Sequence, residues 1–65
     1  MRRAMLEALE KKYEADIASA DTTIQIYLNN SVGIGEHPQH LEEIDKQIQK
    51  IADAQEKLQV LKSFE

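Results

Sequence analysis

Apolar residues recur along the first half of the chain at steps of three and four: Leu6, Leu9, Tyr13, Ile17, Ala20, Ile24 and Leu28. That spacing belongs to an amphipathic helix and predicts one over residues 3–29. Met5 and Tyr27 widen the stripe, while Glu7, Glu10, Lys11, Glu14 and Asp21 mark the polar face. The stripe repeats about every 3.67 residues, which predicts a straight or slightly right-handed helix. A second stripe, Leu41, Ile44, Ile48, Ile51, Leu58 and Leu61, predicts a helix over residues 38–63. Gln55 stands where its spacing would continue, with Ala52 and Ala54 beside it. The series Leu41/Ile48/Gln55 and Ile44/Ile51/Leu58 repeat every seven residues, as in a short coiled coil.

Helix breakers gather between the two stripes. The one Pro and both Gly of the chain lie within Asn29–Pro38 and predict a turn over residues 30–37. Gly33 and Gly35 let the backbone reverse tightly, and Val32 and Ile34 are expected to fold back over the end of the bundle. Pro38 suits the first turn of the second helix, with Glu36 or His37 near its cap. Glu42, Glu43 and Asp45 then complement the helix dipole. Thr22, Thr23, Ile24 and Ile26 are β-branched and fit a helix less well. A strand over residues 22–28 would have no partner, so the helical reading stands.

Two segments of similar length around a short turn predict an all-α fold, an antiparallel two-helix hairpin forming one domain. Its own core, or that of an oligomer it forms, is expected to hold Leu6, Leu9, Tyr13, Ile17, Ile24 and Leu28 from the first helix. Leu41, Ile44, Ile48, Ile51, Leu58 and Leu61 are expected from the second. A 65-residue chain buries only about 60% of its unfolded surface and commonly needs a further support. There is no Cys, so disulfides and thiolate metal sites are excluded. Met5, Ile26, Tyr27, Val60 and Phe64 make the apolar set wider than a single seam requires. Pairing of hairpins into a four-helix bundle would bury the excess, so a homo-oligomer is expected, dimer ahead of tetramer. Ile26, Val32, Ile34, His37 and Phe64 are the expected partner-binding residues.

Charge narrows the function. The net charge of −4 argues against a nucleic-acid binder, which needs a basic face. The first residues lack the apolar run of a signal peptide, and no run reaches the roughly 20 residues that span a bilayer. A soluble, cytoplasmic protein without a membrane partner is expected. His37 and His40 with Glu36 and Glu43 have metal-like spacing, yet no third strong ligand lies elsewhere. The Gly33–Gly35 turn resembles an anion site, but Glu36, Glu42 and Glu43 would repel the anion. Carboxylate pairs such as Glu42/Glu43 and Glu10/Glu14 lie on polar faces, not in the buried setting that separates catalytic pKa values. No catalytic residue, cofactor or metal is therefore expected. Tyr13, Tyr27 and Phe64 read first as packing residues and second as partner anchors.

The run Ile26-Tyr27-Leu28-Asn29-Asn30-Ser31-Val32-Gly33-Ile34-Gly35-Glu36-His37-Pro38, with Glu43-Ile44-Asp45 and Lys50-Ile51-Ala52, resembles small helical proteins encoded by tailed phages of marine bacteria. The likeness covers the second half of the first helix, the turn and most of the second helix. That family carries no assigned activity, so no residue role is implied. The resemblance implies a context: a phage accessory protein in the cytoplasm of an infected bacterial host. The expected function is a non-enzymatic, self-associating protein-interaction module, whose partners are itself and a host or phage protein. The alternatives are a minor virion or assembly component, and a ligand or metal module at the turn.

Overall fold

A computed structural model describes residues 1–29 and 39–65. Two helices, α1 (Arg2–Asn29) and α2 (Gln39–Lys62), pack against each other as a hairpin. Among the described residues there is no strand. The expected turn over 30–37, with Val32, Gly33, Ile34, Gly35, Glu36 and His37, lies outside the described residues, as does Pro38.

The β-branched stretch stays helical to Asn29. Thr23 helps to settle it: its hydroxyl donates to the Ser19 carbonyl at 2.9 Å, a bond made inside a helix. α2 has Glu42 in its first turn and Lys62 in its last, both matched to the dipole. α1 has no acid in its first turn. Arg2 instead donates to the Phe64 carbonyl, at the electronegative end of the antiparallel neighbour. α2 closes with i→i+3 bonds, Ser63 N–H to Val60 O at 3.0 Å and Phe64 N–H to Leu61 O at 3.0 Å.

The seam differs from the expected stripes. The buried and half-buried positions of α1 are led by Leu6, Glu10, Tyr13, Ile17, Ala20, Ile24 and Tyr27. Those of α2 are led by His40, Ile44, Gln47, Ile51, Ala54, Leu58 and Leu61. Both series alternate steps of four and three, a seven-residue repeat that matches a coiled-coil seam. The reading of a period near 3.67 in α1 is corrected accordingly. Within the hairpin, Leu9, Leu28, Leu41 and Ile48 stand exposed beside the seam; Leu41 is 75% exposed. Glu10, Tyr27, His40, Gln47 and Ala54 take the places next to the expected ones.

The physical reason is reach. A seam of period 3.5 keeps facing its partner along both helices, whereas a stripe of period 3.67 rotates away from it. Ala20 and Ala54 matter most here. They are 0% and 3% exposed, so the two smallest seam residues are the ones most fully covered. Glu10 and Gln47 are only half buried, so their polar ends can keep contact with solvent, whereas the His40 Nδ1 is itself buried. At the turn end the Tyr27 and His40 rings meet edge to face, with centroids 5.4 Å apart.

The product is a rod measuring 49 × 14 × 12 Å between Cα atoms. Its radius of gyration is 15.1 Å, against about 11 Å for a compact domain of this length. Two helices in contact along one line have no interior. Ala20, Ala54 and Leu61 are the buried core among the described residues.

The ion pairs are local and exposed. Lys11 reaches Glu14 at 3.7 Å, Lys12 reaches Asp16 at 3.0 Å and Lys46 reaches Glu43 at 3.3 Å. Lys11 and Lys46 each also have an acid one turn back, Glu7 and Glu42, and pair instead with these neighbours. Asp53 accepts from Gln49 at 2.9 Å, while Lys57 lies over the Tyr13 ring at 5.6 Å. Such pairs contribute little because water screens them. Replacing Asp16 by Asn should change unfolding free energy by less than about 0.5 kcal/mol. A larger loss in a urea melt would show that the Lys12–Asp16 pair carries more of the fold than its exposure implies.

Candidate functional site

With seam positions labelled a and d in the usual heptad, the flanking positions are e on one side and g on the other. In an antiparallel pair, the e positions of both helices share one broad face and the g positions share the opposite face. The hairpin therefore has two faces, each contributed by both helices.

The g face carries an apolar area at the open end of the hairpin. Leu9 and Phe64 are g residues, and Met5 and Val60 lie next to them on the outer side. Together with Leu6, Tyr13 and Leu61, Leu9, Val60 and Phe64 wall an open trough of about 400 Å3, rimmed by Glu56 and Lys57. Tyr13 forms its floor, half buried, with the Lys12 and Lys57 ammonium groups 5.9 and 5.6 Å from its ring. Both distances are within the range of a cation–π contact. The trough exists because apolar residues flank the seam on both helices, Leu9 from α1 and Val60 and Phe64 from α2, so water meets hydrocarbon on both walls.

The e face carries its apolar area at the other end. Leu28 from α1 and Leu41 and Ile48 from α2 are all e residues and all exposed. They lie in the half of the rod near the turn. Exposed singly they would be unremarkable; grouped on one flank they form a patch.

Of the expected partner-binding residues, Ile26 is exposed on the outer edge of the g face, and Phe64 is exposed on the trough wall. The structure places them at opposite ends of the rod. Val32, Ile34 and His37 lie outside the described residues. Leu9, Val60, Leu28, Leu41 and Ile48 are the exposed residues whose grouping the stripes hid.

A second cavity at the open end is lined by Met1, Arg2, Arg3, Leu6, Glu7, Glu10, Phe64 and Glu65. Its charges are of both signs and sit on long side chains, so it offers no single-sign pocket. Among the described residues no group of three or more His, Asp or Glu could hold a metal ion. His40 packs on Tyr27, and Glu43 is paired with Lys46; Glu36 and His37 lie outside the described residues. Glu14 pairs with Lys11, and Glu10 is half buried in the seam. Among the described residues no helix is long and apolar enough to cross a membrane. No family model, no curated protein and no solved structure matches this chain.

Proposed function

We propose that this chain is a non-enzymatic protein-interaction module that works by associating with itself, in the setting that its resemblance to tailed-phage proteins implies: the cytoplasm of an infected bacterium. One observation carries the reading. The hairpin exposes 5258 Å2, against roughly 4200 Å2 for an ordinary monomer of its mass. Nine large apolar side chains contribute to that surface among the described residues. The excess, roughly 1,000 Å2, exceeds the roughly 800 Å2 that each partner buries in a standard interface. Face-to-face packing of two hairpins makes four helices around a shared core, which gives the exposed leucines and isoleucines a dry partner.

A second reading, a component of a larger assembly, is favoured by the position of the two patches on opposite faces. An extended array needs two different contact surfaces on each copy. Co-purification with particles would support it.

Light scattering over a concentration series tests the proposal. The expected mass rises above 7.4 kDa as concentration increases through the micromolar range. A folded chain that stays at the monomer mass up to about millimolar would overturn self-association, since affinity that weak is worth only about 4 kcal/mol.

A further inference from the structure

The two apolar patches differ in more than position. Around the e face, counting e residues and their outer neighbours, Glu7, Glu14, Asp21 and Asp45 outnumber Lys11 and Lys62. That face carries a net charge of −2 among the described residues, four acids against two bases. On the g face the corresponding bases are Arg2, Lys12, Lys46, Lys50 and Lys57. The acids at those positions are Asp16, Glu43 and Asp53, a net of +2, five bases against three acids, and Glu56 at the trough rim leaves the face still net positive. One face is acidic with its hydrocarbon near the turn. The other is basic with its hydrocarbon at the open end.

We propose that the occupant of each face is the opposite face of a second copy of this chain, laid antiparallel, so that hairpins stack head to tail. The proposal rests on the self-association reading and specifies its geometry. Three arrangements compete. Two e faces bring their patches together only with the rods parallel, and then −2 meets −2. Two g faces do the same with +2 against +2. An e face laid antiparallel on a g face sets Leu28, Leu41 and Ile48 of one copy over the trough between Leu9, Val60 and Phe64 of the next. It also joins opposite charges. Like-charge juxtaposition selects against the first two, and complementarity favours the third. A rod 49 Å long and 14 Å wide offers a face large enough for a standard interface. Such a contact uses unlike surfaces, so each added copy presents a fresh face, and the assembly grows until rotation closes it into a ring or it continues as a filament.

Complementation tests this. One variant carries Leu41→Gln and Ile48→Gln on the e face; the other carries Val60→Gln and Phe64→Gln on the g face. All four positions are exposed, and circular dichroism checks that each variant stays helical. Each variant alone is expected to stay near the 7.4 kDa monomer at concentrations where the unaltered chain grows. Its self-association should weaken by about 100-fold or more through loss of two buried side chains. Mixed in equal amounts, they are expected to form a complex of two chains and stop, because one intact e face meets one intact g face. An unaltered chain that plateaus at two copies, with one variant still dimerising and the mixture gaining nothing, would overturn the head-to-tail contact while leaving self-association in place. Variants that associate as the unaltered chain does would likewise overturn it. An unaltered chain that stays monomeric would assign the faces to a different partner and overturn both readings.

Discussion

Leucine in place of Ala20 should destabilise the hairpin by about 1–3 kcal/mol. Ala20 is 0% exposed, fully covered within the seam. Three extra heavy atoms there have no void to enter, so the helices must separate or the side chain must leave its rotamer. A chain of 65 residues has a total stability of roughly 3–10 kcal/mol, and a fold with so little interior belongs near the lower bound. The substitution should therefore lower the thermal midpoint strongly and leave part of the population unfolded at room temperature. Ala18→Leu is the control. Ala18 is exposed on the same helix, and leucine is nearly as good a helix former as alanine, so its midpoint should hardly move. Equal melting of the two variants would mean that the seam does not run through position 20.

The second large effect separates the seam from the faces. Leu61→Ala should cost about 2–4 kcal/mol, the loss for a buried leucine whose site cannot fully collapse. Leu61 is 7% exposed, so although it helps to wall the trough, nearly all of its contacts lie within one chain. The loss should therefore depend little on protein concentration. Leu41→Ala should behave differently. With Leu41 on the outside of the single hairpin, its truncation should be within about 0.5 kcal/mol of neutral in dilute solution. It should become costly only where copies associate, as mass action requires. Urea melts of both variants at two concentrations read this directly. A concentration-independent loss at Leu41 as large as that at Leu61 would place residue 41 in the seam after all.

Those two leucines show how far the residues alone could be read. Helix positions, chain reversal and antiparallel pairing were legible, because Pro and Gly are confined to one stretch and apolar steps of three and four fill the rest. The choice of seam was not. Leu9 and Glu10, Tyr27 and Leu28, His40 and Leu41, Gln47 and Ile48, Ala54 and Gln55 are five adjacent pairs. In four of them the stripe favours the more hydrophobic member, and the structure turns its neighbour inward. Hydropathy ranks single residues, but a seam is a property of two helices that must stay in register over their whole contact. The signal was present in the spacing Leu6, Tyr13, Ala20, Tyr27, each seven apart. Leu28 beside Tyr27 hid it in α1, and Ala54 hid its counterpart in α2, since a small residue reads as weakly apolar even where it is buried. Phe64 was legible as an exposed apolar residue. The trough that it lines was not, because its walls come from two helices whose relative rotation follows from the seam.

The ring contact at the turn end also orders the events by which the chain acquires its shape. Tyr27 and His40 are 13 positions apart, while Arg2 and Phe64, joined at the open end, are separated by 62. Closing the longer loop costs roughly 1.4 kcal/mol more in chain entropy. The hairpin should therefore zip from Tyr27 and His40 outward, and fray in the reverse direction. With no tryptophan in the chain, ultraviolet emission comes chiefly from Tyr27 at the turn end and Tyr13 near the middle of α1. The chain thus carries its own pair of clocks: Tyr27 should report the first contact made and Tyr13 a later one.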